Sequence, residues 1–143
     1  MRISKAVLQS INEFISDTPP ETGGILGSRT HNVVEAVAFD LPNTESTRPC
    51  AYFPNVDFLN HTIQLWQEDG IRFLGIFHTH FASVKTLSNG DIQYIRQIMQ
   101  AMPASIEYLY FPVFVLPDRE LVCYRAIRTK DGVKIVREPT IIA

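Results

Sequence analysis

Residues 71–77 read IRFLGIF, and this almost continuously apolar run constrains the fold more than any other segment. Such a run is typical of a central strand that is covered on both faces, because an edge or half-exposed strand alternates apolar and polar residues. A sheet covered on both sides needs helices to cover it. The chain has 143 residues and 45% hydrophobic residues, enough for a substantial core. We therefore expect a single domain over residues 1–143.

Helical and strand patterns alternate along the chain. Ile3, Val7, Ile11 and Phe14, for example, have the three- and four-residue spacing of one helix face. We expect helices over residues 3–17, 55–70 and 88–102, and strands over residues 23–29, 33–39, 71–77, 107–116 and 120–127, with a short further strand after residue 132. This order indicates an α/β (α+β) fold in which a mixed β-sheet is flanked by about three helices.

Charge and composition exclude several classes of function. The formal net charge is −2 and there is no run of Lys or Arg, which argues against a nucleic-acid partner. No apolar segment is long enough to span a bilayer, and the first residues lack the pattern of a signal peptide. Cys50 and Cys123 are isolated in the sequence, so we expect two free thiols in a reducing compartment. We predict a soluble, cytoplasmic protein with no membrane partner.

One motif carries residue types that bind metals. His78-Thr79-His80 is followed, after seven residues, by Ser88-Asn89-Gly90-Asp91. Two histidines two apart on a strand point to the same face, although such a pair alone is often no more than polar edge residues. Asp91 shares a helix face with Ile95 and Ile98, and a carboxylate on an apolar face needs a partner. We predict that His78, His80 and Asp91 hold one zinc ion. Three protein ligands would leave a fourth position for water, as in catalytic zinc sites.

Glu21 is a candidate for catalysis. It lies at a helix-to-strand junction before Gly23 and Gly24 and could be the general acid/base, or it could be a solvated loop residue. The sequence leaves both alternatives open. Ser88, three residues before Asp91, could simply cap the third helix.

Taken together, these residues resemble a known motif. A glutamate before a Gly-Gly strand, then His-Thr-His, seven residues and Ser-x-x-Asp, is similar to the JAMM motif of the JAB/MPN/Mov34 metalloprotease family, in its compact prokaryotic form. The resemblance implies a JAB/MPN-like (cytidine-deaminase-like) fold. It also implies a Zn²⁺ ion on His78, His80 and Asp91, with Glu21 accepting a proton from water and returning it to the leaving amine. Ser88 would then donate to the developing oxyanion.

The chain departs from the family pattern at two positions. Phe81 and Leu87 stand where family members commonly carry proline, directly after the second histidine and directly before the serine. Those prolines shape the loop rather than bind the metal. The departure therefore concerns the rigidity of the loop and the fit of the substrate. Phe81 follows a predicted ligand and is a candidate to line the substrate groove.

The resemblance also implies a function. We expect a zinc-dependent peptidase or isopeptidase that cleaves at the C-terminal tail of a ubiquitin-like protein or its conjugate, with a possible activating protein partner. One alternative is a catalytically silent MPN-like scaffold or binding module. Another is a hydrolase of an amino-acid adduct on a sulfur-carrier protein. Zinc content separates the scaffold from the two enzymes, since a scaffold needs no stoichiometric metal.

Overall fold

The computed structural model of the chain describes residues 1–30, 32–40 and 52–143. The helices within these residues are α1 (Lys5–Phe14), α2 (Val56–Glu68) and α3 (Asn89–Ala101). The strands within them are β1 (Arg2–Ile3), β2 (Gly23–Ser28), β3 (Ala36–Asp40), β4 (Arg72–His80), β5 (Tyr108–Val115), β6 (Glu120–Thr129), β7 (Gly132–Glu138) and β8 (Ile141–Ile142).

Six of these strands form one mixed sheet in the order β3-β2-β4-β5-β6-β7. Strands β4 and β5 are parallel and are connected through α3, whereas all the other pairs in this sheet are antiparallel. The predicted fold class is thus confirmed, and so is the central position of the strand that contains residues 71–77. Strands β1 and β8 form a short parallel pair that the sequence pattern did not indicate.

Helices cover both faces of the sheet. Helix α1 contributes Val7 and Ile11 to a core cluster on one face, together with Phe77 of β4. Helices α2 and α3 pack on the other face, where Leu59 and Ile95 contact the second cluster. Phenylalanines contribute to both clusters: they are buried at positions 73, 77, 111 and 114 and half-buried at position 39.

The observed boundaries differ from the predicted ones where tertiary contacts override local pattern. Helix α1 begins after Ser4, whose side chain accepts a hydrogen bond from the Val7 amide at 3.2 Å. Ile3 continues the apolar spacing but pairs with β8 instead. Strand β4 runs on through His80, three residues beyond its apolar run, because β2 and β5 pair with its polar end.

The remaining expectations concern cysteines and membranes. Cys123 is a buried free thiol, while Cys50 lies outside the described residues. Within residues 1–30, 32–40 and 52–143, no helix is long and apolar enough to cross a membrane.

Close contact between β2 and its neighbours depends on its first two glycines. A Cβ atom on Gly23 would lie 2.5 Å from the carbonyl oxygen of Phe77, and one on Gly24 would lie 2.6 Å from that of Ala38. No side chain fits at such distances. These glycines therefore allow the strand that follows Glu21 to lie directly beside the end of β4.

Candidate metal centre

The end of β4 and the start of α3 bring the predicted ligands together. His78 and His80 lie on one face of β4, as their spacing predicts. Asp91 lies in the first turn of α3, which begins with a capping box. The Ser88 side-chain oxygen accepts from the Asp91 amide at 3.0 Å, and the Ser88 amide donates to Asp91 Oδ2 at 2.9 Å. This box fixes the Asp91 carboxylate in the direction of the two imidazoles.

Three potential ligand atoms converge on one point. His78 Nε2 lies 2.9 Å from His80 Nε2 and 3.3 Å from Asp91 Oδ1, and His80 Nε2 lies 2.9 Å from Asp91 Oδ2. Around a tetrahedral zinc with bonds of about 2.0–2.1 Å, neighbouring ligand atoms are about 3.3 Å apart. The spacing of these three side chains therefore fits a metal ion after small shifts of a few tenths of an ångström.

The chemistry of the donor atoms also fits a cation. His80 Nδ1 lies 3.0 Å from the carbonyl oxygen of Val84. A carbonyl can only accept, so Nδ1 carries a proton. Nε2 of the same ring then holds either a second proton, donated to Asp91 Oδ2 at 2.9 Å, or a metal ion in its place. This nitrogen faces a carboxylate and a second imidazole, and His78, His80 and Asp91 are only 0%, 5% and 5% exposed. A positive ion is the natural partner of such a buried group, and the three residues can hold a metal ion.

Electrostatics within this cluster favour an ionised aspartate. Burial raises the pKa of Asp91, but its hydrogen bonds with His78 and His80 outweigh burial and hold that pKa well below its usual range. Burial lowers the pKa of His78, which keeps its imidazole neutral. Burial also acts to lower the pKa of His80, but the Asp91 carboxylate more than offsets it, so that pKa is raised. A divalent metal requires the carboxylate and two neutral imidazoles, so it would displace the proton that Asp91 favours on His80.

Glu21 lies beside this cluster, and its backbone is tied to β4. The Thr22 amide donates to Thr79 Oγ1 at 2.9 Å, and the Thr79 amide donates to the Thr22 carbonyl at 2.9 Å. Burial raises the pKa of Glu21 to about 7, with His80 lowering it and Asp91 raising it. A carboxyl group with this pKa can both accept and donate a proton near neutral pH.

A groove of about 370 Å³ opens onto the cluster. It is lined by Glu21, His80, Ser88 and Asp91 and by the apolar side chains of Phe53, Phe81, Ala82 and Val84. Glu21, Ser88 and two of the three potential ligands, His80 and Asp91, therefore share one surface with an apolar wall. Phe81 lines the groove, as expected from its position after His80.

The two alternatives for Ser88 are compatible in this geometry. As the helix cap, its side-chain oxygen uses one lone pair to accept from the Asp91 amide. The hydroxyl proton is not used in that bond and can be donated elsewhere. Because Ser88 lines the groove, the same hydroxyl can cap α3 and donate to a bound molecule.

The turn after His80 takes an unusual backbone path. Ala82 and Ser83 have φ angles of 53° and 58°, in the left-handed region that is disfavoured for residues with a Cβ. The turn is held by bonds from the Ser83 amide to the Leu116 carbonyl at 3.0 Å and from the Val84 amide to the Phe81 carbonyl at 3.2 Å. It thereby places the Val84 carbonyl against His80 Nδ1 without a proline in the loop.

Sequence reasoning missed three groups that support the histidines. Tyr94 Oη lies 3.1 Å from His78 Nδ1. The ring of Tyr52 stacks on the His78 ring, with centroids 5.8 Å apart and an interplanar angle of 13°. The third group is the Val84 carbonyl. Tyr94 could have been found, since it lies three residues after Asp91 and so on the same helix face. A backbone carbonyl in a turn leaves no signal in the sequence.

A second cavity, of about 460 Å³, lies at the other end of β4. Its lining includes Phe73, Met102 and Ile106, and among the described residues that line it Glu107 is the one acidic side chain and none is a histidine. It therefore offers no comparable set of metal ligands, and the smaller groove is the candidate active site.

Comparison with known proteins supports the fold. Neither a protein-family model nor a curated protein sequence matches the chain. Solved structures do match it, among them a protein from Desulfitobacterium hafniense in solution, with 22% identity, a TM-score of 0.69 and coverage of 99% of this chain and 92% of that one. A protein from Salinibacter ruber, also in solution, has 18% identity, a TM-score of 0.60 and coverage of 100% and 92%.

The chain also matches a crystal structure whose fold is named. That structure is a JAB1/MPN domain protein from Archaeoglobus fulgidus, with 17% identity, a TM-score of 0.58 and coverage of 100% of this chain and 97% of that one. At such identities the likeness shows the fold alone. The chain therefore has an MPN-like fold and carries at the end of its central strand a His-His-Asp group that can hold a metal ion.

Proposed function

We propose that this chain is a zinc-dependent hydrolase of the JAMM type that cleaves a peptide or isopeptide bond at the C-terminal tail of a ubiquitin-like protein or its conjugate. The observation that carries the proposal is the convergence of His78, His80 and Asp91 within 2.9–3.3 Å beside a groove that also contains Glu21. The resemblance of the motif and the MPN-like fold support it independently of that geometry.

The ligand set suits zinc better than magnesium or calcium, because two of the three donors are imidazole nitrogens. When bound, zinc would polarise the scissile carbonyl and lower the pKa of water to about 7. His78, His80 and Asp91 would hold the ion. The Asp91 carboxylate would supply the one negative charge of this ligand set.

Glu21 moves the proton in this proposal. Its carboxylate accepts a proton from the attacking water and returns it to the leaving amine, which its pKa near 7 suits. Ser88 donates its hydroxyl proton to the oxygen that develops negative charge at the substrate carbonyl, while its lone pair still caps α3. Neither residue is a metal ligand, and Glu21, which among the described residues makes no contact that orients a ligand, should affect turnover more than metal content.

The substrate class follows from the groove and from the resemblance. The exposed side chains of Phe53 and Val84 and the half-buried ring of Phe81 form an apolar wall that suits an extended tail laid across the cluster. Only residues 102–107 connect α3 to β5, so no inserted segment at that place grips a globular substrate. We therefore expect weak affinity for isolated substrate and stimulation by an activating protein partner. Hydrolysis of an amino-acid adduct on a sulfur-carrier protein would use the same site.

Metal content and turnover test the proposal together. Purified wild-type protein should contain about one zinc per chain, and should release the C-terminal extension from a fusion to a ubiquitin-like or sulfur-carrier protein. Glu21→Gln should keep its zinc and lose at least about a hundredfold in turnover, the usual contribution of a positioned acid/base. Glu68→Gln, an exposed change near the end of α2, is the matched control and should leave turnover unaffected.

Two outcomes would contradict this function. A protein that takes up no stoichiometric metal would be a scaffold with the same fold. A zinc-loaded protein in which Glu21→Gln retains near-normal turnover would exclude Glu21 as the acid/base.

A further inference from the structure

Tyr94 is a buried tyrosine in direct contact with a predicted ligand, and neither the motif nor the proposed chemistry assigns it a role. Its hydroxyl lies 3.1 Å from His78 Nδ1, the ring nitrogen that faces away from the cluster. Both residues are shielded from solvent, at 3% exposure for Tyr94 and 0% for His78. Water therefore has no access to His78 Nδ1, and the Tyr94 hydroxyl is the hydrogen-bond partner that the structure gives it.

The two histidines are supported by different kinds of partner. His80 Nδ1 meets the Val84 carbonyl, which can only accept, so this bond admits one tautomer. His78 Nδ1 meets a hydroxyl, which can either accept or donate. A lone pair on His78 Nε2 requires the proton on Nδ1, with the Tyr94 oxygen as its acceptor. The aromatic ring of Tyr94 packs edge-on against the imidazole, with centroids 5.9 Å apart and an interplanar angle of 79°.

We infer that Tyr94 is a positioning residue that holds the His78 ring in the orientation and tautomer required to bind the metal ion. The inference rests on the proposed metal site. Tyr94 lies one helical turn after Asp91. Helix α3 therefore supplies one ligand, Asp91, and the hydrogen-bond partner of a second ligand, His78. Partners that orient a metal-binding histidine in this way typically contribute 10- to 100-fold to metal affinity.

Zinc affinity of the Tyr94→Phe variant tests this role. The substitution removes one oxygen atom and keeps the ring, and affinity can be measured by competition with a chromophoric chelator, without any substrate. We expect the dissociation constant for zinc to rise by about 10- to 100-fold. Tyr108→Phe is the matched control, because it removes the same atom from a tyrosine that packs against Tyr110 and Arg125 and lines the cavity at the other end of β4. Its zinc affinity should stay within about threefold of wild type.

A spectroscopic measurement on the wild-type protein keeps the test independent of folding of the variants. In the zinc-loaded protein, the ¹⁵N spectrum of the imidazoles should show that His78 Nδ1 is protonated and Nε2 is bound to metal. Equal zinc affinity of Tyr94→Phe and wild type, or an unprotonated His78 Nδ1 in the loaded protein, would overturn the role of Tyr94 and leave the proposed function standing. A wild-type protein that binds no zinc would overturn both.

Discussion

The two faces of β4 near its C-terminal end bury neighbouring side chains of opposite character. Phe77 is fully buried on the face covered by α1, where it meets the rings of Phe39 and Phe114 edge-on, with centroids 6.2 and 5.7 Å away. His78 is equally buried on the face covered by α2 and α3, between the rings of Tyr52 and Tyr94. Strand alternation alone determines which of the two residues faces which layer.

Burial has a different energetic meaning on each face. Removing the Phe77 ring from water is favourable by itself. Removing an imidazole and a carboxylate from water is unfavourable unless each polar atom finds a partner. The face covered by α2 and α3 meets this condition with Tyr94, the Val84 carbonyl and the Ser88 amide, and leaves three ligand atoms directed at one point. One face therefore supports stability, and the other is organised to hold an ion.

The largest effect is expected from substituting a predicted ligand. His78→Ala or His80→Ala removes one of three donors, so we expect loss of stoichiometric zinc and of measurable turnover, while the chain stays folded on its two apolar clusters. Metal analysis and circular dichroism would measure the two results. If either variant instead unfolded, that histidine would be required for stability, and the two faces of β4 would no longer differ in role.

Phe77→Ala tests the opposite face of the same strand. It removes a fully buried ring, and we expect a loss of about 3–5 kcal/mol in the free energy of unfolding, as for other buried phenylalanines. Zinc affinity of the molecules that remain folded should change little, because the Phe77 side chain points away from the cluster. Chemical denaturation and zinc competition on one sample would separate these quantities. A large loss of zinc affinity would show that the two faces are coupled.

The same contrast explains how much the sequence predicted. The apolar run of residues 71–77 indicated the central strand, and the periodicity of Asp91 with Ile95 and Ile98 placed a carboxylate on a buried face, where it is found. Both signals are local and periodic. Capping was one of two roles that the sequence left open for Ser88, and the structure shows the capping box. The ligand spacing also indicated which residues converge, since each position follows from one strand and one helix start.

Contacts distant in the sequence could not be predicted in this way. The pairing of β1 with β8 joins opposite ends of the chain, and the Thr22–Thr79 bonds that fix Glu21 join residues 57 positions apart. The end of β4 was placed too early for a related reason. His78 and His80 interrupt the apolar pattern, but the strand continues through them because β2 and β5 pair with it there.

A smaller effect is expected from a change of pH, which acts through the Glu21 carboxyl group in the groove. Burial raises the pKa of Glu21 to about 7, so the carboxylate that must accept a proton is present above that pH and is lost below it. A cation in the cluster favours the carboxylate and moves the midpoint lower. We expect kcat/KM to fall about tenfold per pH unit below a midpoint at or under about 7.

The metal-free protein offers an internal control for this titration. Glu35, which accepts hydrogen bonds from Arg29 and from Thr30, has a pKa held below its usual range by the Thr30 amide. In ¹³C spectra of the metal-free chain, Glu21 should therefore titrate near neutral pH and Glu35 only in acid. Similar midpoints for the two carboxyl groups would mean that burial in the groove does not raise the pKa of Glu21.

The smallest effect concerns the turn that gives His80 its partner. Ala82 has a φ of 53°, which costs a residue with a Cβ about 1–2 kcal/mol, whereas glycine adopts it freely but loses more backbone entropy on folding. Ala82→Gly should therefore raise the free energy of unfolding by at most about 1 kcal/mol. Ala6→Gly, an exposed change in the right-handed backbone of α1, should lower it by about 0.5–1 kcal/mol. Opposite signs in denaturation curves would show that the polar face carries backbone strain to place the Val84 carbonyl against His80. A loss of stability in both variants would mean that the turn adopts this path without strain.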